Sequence, residues 1–450
     1  MTTYYVRADG SVTAANRANA TSSGAAATSL SLSEMNTVVS GGNAADGDIF
    51  VLSAKGGVFS GAGITNAVAS GITYIGETGY RPTLSLASTY RCQVAGVSRN
   101  TFDNLIILNA ATSGIEFITS GTGHVVRNVE VSGSTNQCFS VENSCTATFY
   151  DVIGHNGTDD GLSAHGTAEL TVYGGHFYDN NQNLSHVGTS VVRCYDVKFS
   201  GAKLGVDSGD LVVGTLANDN SQSYFYDCEF DGGVMLCIAD SAIYAEFHRC
   251  TFKNRYVGTT VGLTNACVQA GNSGAARLST VKFYACEFWQ PPTGKTQCLL
   301  RNGTTGTFTL ENCTFAQATE TSTGLQITIQ GGTTPANTVK NCSFYNCSVG
   351  IAGSTASVAT VTNCSFYANT ANSSGSIVIT TGQVTADPLY IDAANNDYRI
   401  SADSPLIATG TTGSALFDVD NRAYGSTLNI GAHSTEVLRP KVGYRPSVSR

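Results

Sequence analysis

A five-residue segment recurs eleven times along this chain and constrains its fold more than any other feature. Each copy has a polar residue, usually Asn or Asp, an apolar residue, a variable residue and a second apolar residue, as in Lys340-Asn-Cys-Ser-Phe. The third positions are Leu105, Val129, Val152, Gly175, Val197, Cys228, Cys250, Cys286, Cys313, Cys342 and Cys364. Their base spacing of 22 to 24 residues is typical of a solenoid with one supersecondary unit per repeat.

The alternation within each copy predicts that positions three and five face the interior of stacked β-coils. Leucine-rich repeats have a similar period, but their signature is missing, so β-helix coils are the better match. The predicted thiol stack is Cys228, Cys250, Cys286, Cys313, Cys342 and Cys364, and the predicted phenyl stack is Phe177, Phe199, Phe230, Phe252, Phe288, Phe315, Phe344 and Phe366. Rungs about 4.8 Å apart would give a rod of roughly 50 Å with a long lateral surface.

Composition agrees with an all-β chain and excludes two classes of partner. Charged residues make up 13% of the chain, with 49 Gly and 8 Pro, a balance that favours strands and tight turns over helices. The formal net charge of -9 disfavours nucleic acid, whose binding needs dense Lys and Arg. No run of about 18 apolar residues is present, so no membrane span is predicted.

The cysteines predict the compartment of assembly. There are 14 of them, without a Cys-x-x-Cys pair, which favours inert buried thiols over a metal or redox site. Thiols stacked on neighbouring rungs would be prone to mispairing in an oxidising compartment, so a reducing cytoplasm is favoured. The first residues also lack the charged and apolar regions of a signal peptide.

The ends of the chain are expected to close the solenoid. Ser31 and Glu34 have the spacing of a helix capping box, which predicts a short N-terminal capping helix. The segment Gly47–Leu52 is the predicted first strand of the body. The predicted organisation is an N-terminal cap and first strand at 1–52, β-helix coils at 53–380, a closing segment at 381–435 and a tail at 436–450.

Segments near both ends carry a resemblance to a known superfamily. They are Tyr4–Gly10, Gly47–Leu52, Asp387–Tyr390, Asn396–Ile400, Ser404-Pro405, Asp418–Arg422 and Asn429–Ala432. They resemble the start and finish of pectate-lyase-like right-handed parallel β-helix proteins. The resemblance implies a single right-handed parallel β-helix of about eleven or more coils, and an activity among polysaccharide lyases, glycoside hydrolases, epimerases and bacteriophage tailspikes. The chain departs from the common ending at Ala408-Thr409-Gly410, where an acidic residue often precedes the Gly, and at His433, where Glu often follows Gly-Ala.

Titratable side chains are densest between residues 155 and 210. Four of the seven His lie there in two pairs spaced 21 residues apart, so equivalent His are expected on adjacent rungs. The candidate catalytic residues are Asp159, Asp160, His165, Asp179, Lys203 and Asp207. The candidate substrate-binding residues are His155, His176, His186, Arg193 and Tyr178.

Three chemistries fit this set. Paired Asp carboxylates fit glycoside hydrolysis, whereas Lys203 or a neutral His as base, with Arg193 or a cation beside a uronate, fits a lyase. Asp159, Asp160 and Asp179 could instead bind Ca²⁺. The alternative is that Asp-Asp-Gly and Asp-Asn-Asn are ordinary turn sequences with polar surface His beside them.

Four aromatic residues, Tyr178, Trp289, Tyr345 and Tyr367, directly follow an inward Phe. They are expected either to face outward, where sugar rings could stack on them, or to close corners against neighbouring coils.

Three functions follow from these observations. The first is a tailspike-type or fibre-type virion protein, assembled in the host cytoplasm, that engages and depolymerises a bacterial surface polysaccharide, with other virion proteins and a homotrimeric state as expected partners. The second is an extracellular bacterial polysaccharide lyase or glycoside hydrolase. The third is a β-helix that binds without catalysis.

Overall fold

The computed structural model consists mostly of short β-strands. It describes residues 1–87, 89–203, 209–213, 220–236, 242–253, 266–270, 280–289, 296–302, 306–317, 322–329, 337–354, 359–377, 379–415, 417–420, 422–423 and 428–433. The chain divides into two compact units, Met1–Arg193 and Cys194–Arg450. In both units, strands of successive coils pair in parallel, which confirms the predicted all-β parallel solenoid of about eleven turns.

The first unit contains one α-helix and fifteen complete strands among its described residues. The helix is α1 (Leu32–Ser40), and the strands are β1 (Thr3–Arg7), β2 (Ile49–Ser53), β3 (Phe59–Ser60), β4 (Ile64–Asn66), β5 (Thr73–Gly76), β6 (Thr83–Ser85), β7 (Cys92–Ala95), β8 (Thr101–Leu108), β9 (Ile115–Ile118), β10 (Ser120–Ser132), β11 (Phe139–Val141), β12 (Ser144–His155), β13 (Asp160–Ala164), β14 (Glu169–Tyr178) and β15 (Gln182–His186). One parallel ladder joins β1, β2, β5, β8, β10, β12 and β14. A second joins β4, β7, β9, β11, β13 and β15.

Strand β16 (Val191–Tyr195) contains the boundary between the units. The strands of the second unit are β17 (Lys198–Ser200), β18 (Gly209–Val213), β19 (Gln222–Tyr226), β20 (Glu229–Asp231), β21 (Val234–Leu236), β22 (Tyr244–His248), β23 (Thr251–Lys253), β24 (Ala266–Ala270), β25 (Thr280–Tyr284), β26 (Glu287–Trp289), β27 (Thr296–Asn302), β28 (Thr307–Glu311), β29 (Thr314–Ala316), β30 (Thr323–Ile329), β31 (Asn337–Lys340), β32 (Ser343–Tyr345), β33 (Val349–Gly353), β34 (Ala359–Thr362), β35 (Ser365–Tyr367), β36 (Ala371–Ser374), β37 (Ile379–Thr381), β38 (Tyr390–Asp392) and β39 (Asp397–Ile400). Short 3-10 helices are Ala14–Asn19, Ala26–Thr28, Ala54–Gly56 and Ala393–Asn395.

Three parallel ladders build the coils of the second unit. The first joins β19, β22, β25, β28, β31, β34 and β37. The second joins β17, β20, β23, β26, β29, β32 and β35. The third joins β18, β21, β24, β27, β30, β33 and β36. Each coil therefore presents three narrow faces, with side chains alternating between interior and surface.

The recurring segment contains a corner of the coil, and its inward-facing third and fifth positions are buried, as at Cys286 and Phe288. The second position has a positive φ in all eleven copies, at Asn104, Asn128, Asp151, Gly174, Asp196, Asp227, Arg249, Ala285, Asn312, Asn341 and Asn363. Asn, Asp and Gly tolerate this left-handed conformation best. The sequence period thus records the spacing of one corner along the solenoid.

The predicted interior stacks are confirmed in the second unit. Phe rings from Phe199 to Phe366 stack rung on rung with centroids 4.5 to 5.2 Å apart. The six predicted Cys are buried, and each Sγ lies 3.3 to 3.5 Å from the carbonyl oxygen two residues earlier. The thirteen described Cys are all buried. Phe177 is buried in the first unit.

The N-terminal cap is confirmed, with one more strand than predicted. The hydroxyl of Ser31 accepts a hydrogen bond from the backbone of Glu34 at 3.2 Å, and this interaction caps α1. Strand β1 precedes the predicted first strand and pairs with it, Thr3 lying opposite Ile49. No helix in the described ranges is long and apolar enough to cross a membrane.

The predicted closing segment lies along the outside of the second unit's coils. After the antiparallel β38–β39 hairpin, the chain packs on the corner that carries the left-handed residues. We call residues 409–415 and 417 the strap. Its backbone bonds Asn363 and Asn341, with Thr411 N 2.9 Å from Asn341 Oδ1. The predicted boundaries at 53, 381 and 436 stay predictions, and the 436–450 tail lies outside the described residues.

Candidate functional site

The predicted histidines are divided between two environments in the first unit. His155 and His176 are half-buried on the outer face of β12 and β14. The His155 ring stacks on that of Tyr178, with 4.6 Å between centroids, and His176 lies 4.5 Å from the same ring. Nε2 of His155 is 3.3 Å from Oε1 of Glu130, whose other oxygen binds Arg81 at 3.0 Å. We call Glu130, His155, His176 and Tyr178 the first-unit cluster.

The predicted equivalence of the His pairs is wrong. His155 pairs with Tyr178, because the coils repeat here after 23 residues, from 155 to 178, whereas the His spacing is 21. Likewise His186 pairs with Ala164, the neighbour of His165. The His pairs are therefore out of register by one or two residues.

Two of the predicted site residues are inside the fold. His186 has no exposed surface, and burial lowers its pKa to about 4. Asp160 is 3% exposed, and burial raises its pKa well above the ordinary value, with the nearby Asp159 adding to the effect. The ring of His186 is therefore neutral near pH 7, and burial favours the protonated form of Asp160. Both side chains lie away from any polymer on the outer surface.

The remaining predicted carboxylates lie in turns. The carbonyl oxygen of Asp159 accepts hydrogen bonds from the backbone of Asn181 and Gln182. Asp179 is exposed with φ 55°, a conformation typical of a turn Asp. Among the described residues, no three His, Cys, Asp or Glu side chains come together as a metal site. The Ca²⁺ role of Asp159, Asp160 and Asp179 stays a prediction.

The other predicted residues are spread along the chain. His165 and Arg193 are half-buried, and Lys203 is exposed. Asp207 lies outside the described residues. Their catalytic and binding roles also stay predictions.

A row of stacked rings follows the outer face of the second unit. It consists of Tyr195, Tyr226, His248 and Tyr284, with successive centroids 5.0, 4.8 and 4.8 Å apart. Register pairing places the last three opposite one another on β19, β22 and β25. We call these four residues the tyrosine row. Because the rings cover each other's faces, the row presents ring edges and polar atoms to the outside.

His248 of the row and three polar side chains beside it form a hydrogen-bonded group, which we call the acid–base network. Oε1 of Glu246 is 2.5 Å from Nε2 of His248. The hydroxyl of Tyr244 donates to the other Glu246 oxygen. Nζ of Lys282 donates to the Tyr244 hydroxyl at 3.0 Å and lies 3.8 Å from Glu246.

The network contains an ionised carboxylate, a neutral hydroxyl and a basic ring nitrogen. The hydrogen bond from His248 lowers the pKa of Glu246 to about 2 against the opposing effect of burial, so this side chain stays ionised. When neutral His248 donates from Nε2 to that carboxylate, its Nδ1 is the basic nitrogen. Burial raises the pKa of Tyr244, whose hydroxyl therefore stays protonated.

A cleft of about 190 Å³ lies where the tyrosine row meets the strap. It is lined by His248, Arg249, Tyr284, Ser414, Ala415 and Phe417. The Arg249 guanidinium bonds both oxygens of Asp227 at 2.8 Å and lies 5.8 Å from the centre of the Phe417 ring. The cleft thus combines aromatic edges with a charge-balanced cation.

The sequence contained an overlooked signal for this site. The first positions of four successive motif copies are Tyr195, Tyr226, His248 and Tyr284. Once the corner is recognised, these positions stack on the surface. The alternation Tyr244-Ala-Glu-Phe-His248 likewise places three polar groups on one face of a strand.

The other predicted outward aromatics have mixed environments. Tyr345 packs edge-on against Tyr390 of the hairpin at 5.2 Å, as the corner-closing alternative expects. Tyr367 stacks 6.2 Å from Tyr345, and Lys253 lies 5.5 Å above the ring of Trp289. Tyr178 belongs to the first-unit cluster.

A buried ion-pair group holds the end of the described chain on the coils. Nε2 of His433 is 2.5 Å from Glu287, and its Nδ1 is 3.4 Å from Asp420. Burial opposes the charged ring, but the two carboxylates outweigh it and raise the pKa of His433 to about 10. The departure from the common ending at this position thus has a structural role.

We expect thermal stability to fall as the pH rises from 7 to 9. A His whose folded-state pKa is raised contributes fully below its unfolded value of about 6.5, and the contribution is lost as the pH climbs towards the folded value. Unfolding temperatures measured across this range should fall by several degrees, and His433→Gln should flatten the slope. His155→Gln is the matched control, and an unchanged slope in His433→Gln would contradict the assignment.

A family model described as a right-handed β-helix region matches residues 266–397. The fold is a right-handed parallel β-helix. The predicted right-handed parallel β-helix fold is thereby confirmed.

Three solved structures are similar to this chain. A pectate lyase shares 14% identity over 96% of both chains, with a TM-score of 0.44. The A-module of a mannuronan C-5 epimerase from Azotobacter vinelandii shares 12% identity over 79% of this chain and 95% of its own, with a TM-score of 0.49. A rhamnogalacturonan lyase shares 11% identity over 86% of this chain and 87% of its own, with a TM-score of 0.33. No curated protein sequence matches the chain significantly.

Proposed function

We propose that this protein binds a polysaccharide along the tyrosine row and cleaves it at the acid–base network. The observation that carries the proposal is that the tyrosine row and the acid–base network share a residue on β22. His248 belongs to the row through its stacked ring and to the network through its bond to Glu246. A polymer following the row would pass directly over a proton acceptor.

The row suits a repeating polar polymer better than an isolated ligand. Its rings repeat at about one rung, close to the 4.8 Å spacing of paired strands. Burial raises the pKa of Tyr226 to about 12, so its hydroxyl stays a neutral hydrogen-bond donor and acceptor. The rings of the row cover each other's faces, so sugar rings cannot stack on them as the sequence suggests. We therefore expect recognition through the hydroxyl groups.

The network supplies general acid–base chemistry for cleavage. His248 Nδ1 is suited to remove a proton, and the protonated ring is then suited to return it to the leaving group. Removal of a proton beside a uronate carboxylate would give elimination, whereas activation of water would give hydrolysis. An unsaturated product that absorbs ultraviolet light identifies the first, and a new reducing end without that absorbance identifies the second.

We expect Tyr226→Phe to weaken polysaccharide binding about threefold to tenfold, because it removes one hydrogen-bonding group and keeps the ring. Binding is measured by affinity electrophoresis against pectin, alginate, xylan and bacterial capsule polysaccharides. Tyr80→Phe is the control, since Tyr80 is an exposed tyrosine of the first unit. Equal binding by the two variants would show that the polysaccharide does not bind along the row. Binding without any cleavage product would favour the noncatalytic alternative.

The first-unit cluster is a second candidate site. Its Glu130–His155 contact resembles the Glu246–His248 pair in chemistry, but at 3.3 Å it is longer. Loss of cleavage in His155→Ala with activity retained in His248→Ala would favour this cluster.

We also propose that the protein is a tailspike-type or fibre-type component of a virion that matures in a host cytoplasm. The support is the stack of buried Cys without a disulfide at Cys228, Cys250, Cys286, Cys313, Cys342 and Cys364, which is typical of assembly under reducing conditions. An extracellular enzyme is the alternative. Sedimentation of the native protein with phage particles would support the virion role, and recovery as a free protein from culture medium would favour the alternative. Mass measurement of the native form tests the expected homotrimer.

A further inference from the structure

We infer that the strap closes one end of the tyrosine row, so that the site takes the terminus of a polysaccharide chain and not its middle. This inference rests on the proposed function and specifies its mode of binding. On the coils after Tyr284, the positions that continue the row are covered by the strap.

The row continues in register beyond Tyr284, but its next positions are occupied. Tyr284 pairs with Glu311, and Glu311 pairs with Lys340. A Glu311 oxygen accepts a hydrogen bond from the backbone of Ser414, and the Lys340 ammonium donates to the carbonyl of Thr412. The two rungs after Tyr284 therefore bind the protein's own backbone where a polymer would otherwise lie.

The side chains of the row are less exposed at the end that meets the strap. Tyr195, Tyr226 and His248 are half-buried, whereas Tyr284 is only 7% exposed. Ala415 of the strap packs against Tyr284 and its neighbour Ala285. The surface open to a polymer thus ends between His248 and Tyr284.

Several contacts hold the strap in this position. Asn341 forms two hydrogen bonds with Thr411. Its Nδ2 donates to the Thr411 carbonyl at 2.7 Å, and its Oδ1 accepts from the Thr411 backbone N–H at 2.9 Å. A Cβ on Gly413 would lie 2.6 Å from a Glu311 oxygen, so a larger residue here would displace that carboxylate. These contacts fix the strap on the coils.

The cleft at the closed end has the features of a terminal subsite. Its volume of about 190 Å³ is below the roughly 300 Å³ at which pockets for drug-sized ligands begin, which suits a single sugar residue. Because Arg249 is already paired with Asp227, the lining favours hydroxyl groups over an unpaired carboxylate. Phe417 supplies an apolar wall that is 40% exposed.

The test compares oligosaccharides of defined length, derived from whichever polysaccharide binds, immobilised through either the reducing or the non-reducing end. We expect one orientation to bind at least tenfold more tightly, because the other blocks the terminus that enters the cleft. Cleavage of the free polymer should release one product size from the earliest time points. Equal binding in both orientations, or an early mixture of sizes, would overturn the inference.

A pair of variants tests the cleft itself. Phe417→Ala should weaken binding of the free oligosaccharides about threefold to tenfold, whereas Thr412→Ala, an exposed position on the same strap, should not. Unchanged binding in Phe417→Ala would count against the cleft as the terminal subsite. If no polysaccharide binds at all, the proposed function fails; if polymers bind without end preference, only this inference fails.

Discussion

Replacing His248 with alanine is expected to lower the rate of polysaccharide cleavage by about 10²- to 10⁴-fold, the usual contribution of a positioned general acid or base. The substitution removes the basic nitrogen over which the polymer would pass, while Tyr195 and Tyr226 remain in the row. Binding should therefore fall far less than turnover. Initial rates of product formation and equilibrium binding, measured on the same polysaccharide, separate the two effects.

The matched control is His155→Ala, which removes an outward-facing, ring-stacked His from the other unit. It should leave cleavage within about twofold of the unsubstituted protein, a change of less than about 0.5 kcal/mol. Retained cleavage in His248→Ala would exclude the network as the catalytic centre. A parallel loss of binding and cleavage would show that His248 acts mainly in recognition.

Replacing Phe288 with alanine is expected to destabilise the second unit by about 3 to 5 kcal/mol, the range for large-to-small substitutions in packed cores. Phe288 has no exposed surface and stacks between Phe252 at 4.8 Å and Phe315 at 4.5 Å. The cavity would interrupt the stack on both sides. Urea unfolding, followed by far-ultraviolet circular dichroism, measures the shift of the midpoint.

Thr309→Ala is the control for this substitution, because Thr309 alternates with buried residues on β28 and is half-exposed. Its effect should stay within about 1 kcal/mol, the span of strand propensities. A solenoid is stabilised mainly by contacts between neighbouring coils, so the unfolding of Phe288→Ala should begin in the second unit. Equal midpoints for the two variants would contradict a dominant role of the phenyl stack.

The sequence by itself determined the solenoid and its interior. A period of 22 to 24 residues with Cys and Phe at fixed positions leaves few alternatives, because like residues on successive rungs must pack on one another. Ser31 and Glu34 determined the capping helix for a similar reason, since a capping box acts over three residues. These features depend on local spacing, which the sequence displays directly.

Only the tertiary structure decided the register of the surface and what covers it. His155 faces Tyr178 because the coil there has 23 residues, and a shift of one or two residues is invisible in a period that itself varies. The contact between Ser414 and Glu311 joins residues 103 positions apart, and no local pattern encodes it. The interior follows from repetition, whereas the site follows from register and from a long-range contact that closes one end of the row.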